Sequence, residues 1–124
     1  MHVDLEGQRF PIRSALLHAV EDAWGRVGQP GTWWSGGQRV AIASECRRAD
    51  ACDFCSRRKA ALSPYSVDGQ HETDGVLPPD AVEAIHRLKT DAGRITEAWV
   101  RGLGEGELGE ERYVEIIGVV AVVT

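Results

Sequence analysis

Between residues 11 and 27 the apolar side chains fall on the 3.6-residue period of an α-helix, and no strand–helix alternation follows anywhere downstream. Ile12, Ala15, Leu16, Ala19, Val20, Ala23, Trp24 and Val27 make the first stripe, with Pro11 suited to a first turn and Gly28 to a stop. Ser35 and Gln38 form a capping-box signature for a second helix, from about Gly36 to Arg48, with Val40, Ile42, Ala43 and Cys46 on its apolar side. Asp50 is the expected cap of a third helix running from Cys52 to about Leu62. The polar stretch Ser63–Pro79 has no period and exceeds the usual connection, which predicts either mobility or a function. Pro78-Pro79-Asp80 then opens a short helix bearing Val82, Ile85 and Leu88, and another carries Ile95, Ala98, Trp99 and Leu103. The segment Glu110–Thr124 is long enough for a buried helix, although its Val and Ile content keeps a strand open. The expectation is an all-α chain of five or six helices.

At 124 residues the chain is expected to form a single domain, residues 1–124. Its 43% hydrophobic and 27% charged residues are those of an ordinary globular protein. A net charge of -5 favours neither nucleic acid nor an anionic membrane. No apolar run reaches the roughly 18 residues that span a bilayer. Residues 1–7 lack the basic and apolar regions of a secretion signal, so the expected home is cytoplasmic and reducing. The apolar run Val119-Val120-Ala121-Val122-Val123-Thr124 ends without a cap or polar tail. It is expected either to dock in a core or an oligomer interface or, the favoured reading, to belong to a chain truncated after Thr124.

The residues that point to chemistry are Cys52-Asp53-Phe54-Cys55, a C-x-x-C pair followed by Arg57, Arg58 and Lys59. On a helix Cys52, Cys55 and Lys59 share a face. Unpaired N–H groups of the first turn and the nearby cations both favour thiolate, the reactive form. A second thiol one turn away can resolve an oxidised first one as a disulfide. A thioredoxin-like fold is not expected, because that motif needs a strand leading into it. Three readings stay open: a redox pair, a metal site and two small packed residues. The metal reading takes Cys46, Cys52, Cys55 and His71 as three sulfurs and a nitrogen, a set that zinc accepts. Cys46 reads better as a core residue on the apolar side of its helix.

Of the histidines, His2 lies in the terminal segment, His18 on a polar flank and His86 beside Ile85, where it reads as a hydrogen-bonded packing residue. His71, within the long loop, could fold back as a base near the cysteines. Glu45 precedes the cysteine helix by one or two turns. Glu115 lies inside an apolar run, where a carboxylate must face solvent, pair with a cation such as Arg39, or sit near the thiols. Trp33 and Trp34 are expected to wall a pocket or an interface.

Gly37-Gln38-Arg39-Val40-Ala41-Ile42-Ala43 leading to Cys52-Asp53-Phe54-Cys55, with the later segment Leu108–Val119, resembles the alkylhydroperoxidase AhpD-like proteins of the carboxymuconolactone decarboxylase family. The resemblance covers about residues 35 to 62 and the later segment, roughly a third of the chain. It implies an AhpD-like helical fold, assembled as a homo-oligomer of three or more copies. It also implies an antioxidant oxidoreductase: Cys55 attacks a hydroperoxide, Cys52 resolves it, and a thiol or dithiol reductant restores the pair, with no cofactor. The family's proton relay is a glutamate twelve residues before the first cysteine and a histidine four after the second; here those positions hold Val40 and Lys59. Lys59 can stabilise a thiolate as a cation, so the catalytic set implied is Cys52, Cys55 and Lys59, with a replacement base drawn from Glu45, His71, His86 and Glu115. The alternative to an enzyme is a non-catalytic relative that oligomerises or binds a ligand beside Trp33 and Trp34.

Overall fold

The structure is a computed structural model that describes residues 11–124; the first ten residues, His2 among them, lie outside the described residues. Six α-helices follow one another: α1 (Ser14–Val27), α2 (Gly36–Ala49), α3 (Asp53–Ala60), α4 (Pro79–Asp91), α5 (Glu97–Glu105) and α6 (Glu110–Val123). Short 3-10 turns occupy Pro64–Ser66 and Ala92–Arg94, and no strand occurs among the described residues. The expected all-α class is what the chain adopts.

Local chemistry accounts for most boundaries. Ser35 Oγ accepts the Gln38 N–H at 3.1 Å while the Gln38 side chain accepts the Ser35 N–H at 2.9 Å, so the capping box at the start of α2 is complete. Thr96 caps α5 by accepting the Trp99 N–H at 3.2 Å. Gly109 precedes α6 with φ of 80°, a conformation that costs glycine nothing and other residues a steric penalty.

α2, α4 and α6 pack against one another and form the centre of the molecule. Ile42, Ile85 and Ile116, one from each helix, are completely buried there. Each contributes about 1.5–3 kcal/mol by leaving water. The same arithmetic explains why α6 is a helix. Its seven β-branched residues cost about 3.5 kcal/mol together in propensity, whereas burying Tyr113, Ile116, Val119 and Val120 returns about 6–12 kcal/mol.

Two expectations need correction. The stripe on α1 exists as a pattern, but only Val27 of it is buried, and Leu16 is 56% exposed. The helix also begins at Ser14, since Arg13 keeps an extended ψ of 133°. Asp50 does not cap α3; it closes α2, because the Ala51 and Cys52 N–H groups bond back to the carbonyls of Arg48 and Ala49. Cys52 takes the N-cap position of α3 instead.

Cys52, Phe54 and Cys55 form a second, small buried cluster with Val67 packed on it, apart from the main core. The long 63–78 connection folds over this cluster and is fastened there. Arg57 donates to the Asp68 carbonyl at 3.2 Å, Asp74 pairs with Arg48, and Ser44 donates to Asp74 at 3.1 Å. Gly69 passes so close that a Cβ would lie 2.7 Å from the Phe54 ring.

Candidate active site

Four elements bring polar groups to the small cluster. α2 carries Glu45 on its buried face, one turn from Ile42 and Ala49. α3 contributes Cys52 at its N-cap and Cys55 in its first turn. α4 contributes Glu83 and His86, which share a face because they stand three residues apart. The loop contributes His71 and Thr73. All three cysteines of the chain are free thiols, and both site cysteines are buried.

Two imidazoles face the sulfurs, each backed by a carboxylate. His86 Nδ1 lies 3.3 Å from Cys55 Sγ, and His86 Nε2 lies 2.8 Å from Glu45 Oε1. Glu45 also accepts from Thr73 Oγ1 at 3.0 Å and from the Asp74 N–H at 3.4 Å. His71 Nδ1 lies 3.4 Å from Cys55 Sγ and 3.6 Å from Cys52 Sγ, and its Nε2 lies 2.8 Å from Glu83 Oε2. Arg58, buried across the face of Phe54, holds Glu83 from the other side at 2.7 Å.

The two histidines are driven to opposite protonation states. Burial holds His86 below the usual imidazole range, against the pull of Glu45. It is therefore neutral, with Nε2–H donating to Glu45 and the Nδ1 lone pair turned to Cys55. Burial opposes the charge on His71 too, but hydrogen bonds with Cys55, Glu83 and Cys52 outweigh it and raise its pKa to about 10. The rings lie 4.3 Å apart, so the charge on His71 further disfavours a second one on His86. Burial also opposes a thiolate at Cys52, yet the backbone N–H groups of Cys55 and Glu72 and the His71 side chain lower its pKa overall. The Cys55 N–H approaches that sulfur from within the first turn of α3 without meeting full hydrogen-bond geometry. The arrangement thus sets a neutral base beside Cys55 and a protonated imidazole between the two sulfurs, with Cys52 more acidic than an ordinary thiol.

A cavity of about 210 Å³ opens over both sulfurs, lined by Cys52, Cys55, Ser56, Lys59, Lys89 and Thr90. It falls short of the 300–1,000 Å³ of a typical drug-sized pocket and suits a small molecule.

Of the residues singled out from sequence, Cys52, Cys55, Glu45, His71 and His86 meet here. Lys59 is exposed and stands at the cavity rim, touching neither sulfur with a hydrogen bond. Glu115 is elsewhere: its carboxylate accepts the Trp33 and Trp34 N–H groups at 3.3 and 2.9 Å and so braces the loop before α2. Trp34 is buried, with its indole N–H on the Arg112 carbonyl, while Trp33 lines a shallow depression with Val114. Cys46 belongs to the main core, 3.9 Å from the Thr124 hydroxyl, and so drops out of the expected metal set. His86 takes its place. Glu83 and Thr73 are not among the residues read from sequence, and Arg58 enters there only as one of three cations after the cysteines; the Glu83-x-x-His86 spacing on an otherwise apolar helix face is the signal that points to Glu83.

No family model, no curated protein and no solved structure matches the chain.

Proposed function

We propose that Cys52 and Cys55 are a dithiol–disulfide pair that reduces a small hydroperoxide. The observation that carries this reading is the line Cys55 Sγ–His86–Glu45, a thiol in contact with a neutral, carboxylate-oriented base. His86 Nδ1 takes the Cys55 proton, and the resulting thiolate attacks the terminal peroxide oxygen. The O–O bond breaks, the alcohol leaves with the proton held by His86, and Cys55 becomes a sulfenic acid. The Cys52 thiolate then attacks the Cys55 sulfur, and the expelled hydroxide takes the His71 proton and departs as water. A thiol or dithiol reductant returns two electrons and two protons to the disulfide. Per cycle, one hydroperoxide and one dithiol become one alcohol, one water and one disulfide.

This is the chemistry implied by the AhpD resemblance, served by different proton-handling residues. The cavity volume favours a small substrate, and its rim carries Lys59 and the Lys89–Asp50 pair, 3.7 Å apart. The exposed apolar side chains Leu16, Val40, Val114 and Ile117 support assembly of the chain with further copies. The test is peroxide consumption with a dithiol reductant. Cys55→Ser is expected to abolish turnover and the first oxidation; Cys52→Ser is expected to abolish turnover but to accumulate a sulfenic acid at Cys55 detectable by mass spectrometry. Turnover at the wild-type rate in both variants would sink the reading.

A further inference from the structure

We infer that the reduced form of this pocket is also a zinc site, built from Cys52 Sγ, Cys55 Sγ, His71 Nδ1 and His86 Nδ1, and that the metal and the peroxide compete for the same two sulfurs. The four ligand atoms lie within 4.8 Å of one another. A tetrahedral ion with Zn–S near 2.3 Å and Zn–N near 2.0–2.1 Å needs ligand–ligand edges of roughly 3.3–3.8 Å. Three of the sulfur–nitrogen edges already measure 3.3, 3.4 and 3.6 Å. The widest pair has to close by about 1 Å, within reach of side-chain rotation.

The surroundings fit the ion as well as the donors do. Each histidine presents Nδ1 to the sulfurs and commits Nε2 to a carboxylate, Glu83 for His71 and Glu45 for His86, both at 2.8 Å. That is the outer arrangement which fixes ring orientation and strengthens an imidazole as a ligand. Glu83 is in turn held by Arg58, and Glu45 by Thr73. The ligands come from α3, α4 and the intervening loop, so the ion would cross-link the loop to the helices. Two thiolates balance the charge of Zn²⁺, and binding displaces the protons these groups carry. With four protein ligands the coordination shell is closed, as in structural rather than catalytic zinc sites.

The competition follows from shared atoms and rests on the redox reading above; the metal site itself does not. Oxidation of the loaded site by a hydroperoxide balances as two zinc-bound thiolates, one hydroperoxide and two protons giving one disulfide, free Zn²⁺, one alcohol and one water. The disulfide cannot ligate, so oxidation ejects the metal.

The experiment is titration of the reduced full chain with Zn²⁺ against a chromophoric chelator, with Co²⁺ as the spectroscopic probe. One Zn²⁺ per chain is expected, together with thiolate-to-Co²⁺ charge transfer and the intense visible bands of a tetrahedral site. Cys52→Ser, Cys55→Ser, His71→Ala and His86→Ala should each remove the tight site, and Cys46→Ala should keep it. Glu45→Gln and Glu83→Gln should weaken it by about 10–100-fold. Octahedral Co²⁺ spectra, or zinc binding that survives loss of both cysteines, would overturn the proposal. Peroxide added to the loaded protein should release the metal in step with disulfide formation. A protein that binds zinc but never turns over peroxide would refute the redox reading and leave the metal site standing; the converse would refute the site alone.

Discussion

Replacing Glu45 separates a structural role from a chemical one. The side chain is 1% exposed, its partner His86 is fully buried, and three donors converge on its two oxygens. Glu45→Ala leaves the His86 Nε2–H without an acceptor and opens a hole beside it. An unsatisfied buried donor costs about 1–3 kcal/mol, and the hole left by a large-to-small change in a buried site brings the total to about 3–5 kcal/mol. Glu45→Gln keeps the volume and an oxygen for His86 Nε2–H. It turns an NH₂ toward Thr73 Oγ1, which then has to accept instead of donate, at about 1 kcal/mol. The alanine variant should therefore be less stable than the glutamine variant by about 2–4 kcal/mol. With a urea m-value of about 1–3 kcal/mol/M, that separates their midpoints by roughly 1–3 M. Chemistry should order the variants differently. Glutamine cannot support the transient imidazolium, so Glu45→Gln should stay folded and lose about 10–100-fold in the rate constant for thiol oxidation by peroxide. That loss is part of the roughly 10²–10⁴ that a general base supplies. Stopped-flow tryptophan fluorescence and urea melts measure the two quantities on the same samples. A Glu45→Gln protein with the wild-type rate, beside a slow His86→Ala, would refute the carboxylate's part in the relay. A Glu45→Ala protein as stable as wild type would refute the burial argument itself.

Two histidines and a cysteine set the pH dependence of the reduced protein's stability. His86 is held below its unfolded value, so as pH falls from 6.5 the unfolded chain gains a proton first and stability drops. His71 is raised to about 10, so its contribution fades as pH climbs from 6.5 toward 10, whereas Cys52, lowered from 9.0, gains contribution as pH climbs toward 9.0; the two offset each other up to about pH 9, and the net alkaline loss falls between about 9 and 10. Urea midpoints across pH should show both limbs, and His71→Ala should flatten the alkaline one; an unchanged alkaline limb in that variant would contradict the assignment. Gly69→Ala should cost about 1–3 kcal/mol, because its Cβ meets the buried Phe54 ring at 2.7 Å, and the loop shift should carry His71 off the sulfurs and slow thiol oxidation; a neutral melting temperature would count against the close approach. Glu115→Ala should lower stability by about 1 kcal/mol, since the Trp33 and Trp34 N–H groups lose their acceptor, and should leave peroxide kinetics untouched; a slower reaction would return Glu115 to the site.

Helix number and the capping box were legible from period and cap chemistry, because both are local. So was the pairing of Cys52 with Cys55, one turn apart at a helix start. What stayed hidden was whatever depends on how the chain folds back. His71 is the histidine of the long loop, and its place at the sulfurs depends on Arg57, Arg48 and Ser44 fastening that loop to α2 and α3. His86 is the packing residue its place beside Ile85 predicts, and its full burial is compatible with the base role also open to it. Glu83 gave no signal alone, since a glutamate in a helix is ordinarily a solvated residue. Pattern exceeds burial at α1, where Val27 is the one buried residue of a regular apolar stripe and Ala15, Leu16 and Ala19 are exposed.

The same geometry bears on Val40 and Lys59, where the resemblance to AhpD-like proteins places a glutamate and a histidine. At about 100° per residue, positions 40 and 45 stand roughly 140° apart around α2. Val40 is 48% exposed whereas Glu45 faces the thiols. A carboxylate at 40 would point away from Cys55 in this chain, so Val40→Glu should not accelerate peroxide reduction. Lys59 stands at the mouth of the cavity and hydrogen-bonds to neither sulfur, so under the proposed peroxide chemistry its part is to attract and orient the oxidant rather than to carry protons. Lys59→Gln should then raise the peroxide concentration needed for half-maximal rate more than it lowers the maximal rate, while His86→Ala should do the reverse. If Lys59→Gln instead lowers the maximal rate as far as His86→Ala does, the proton path runs through α3 and the assignment of His86 and Glu45 as the relay fails.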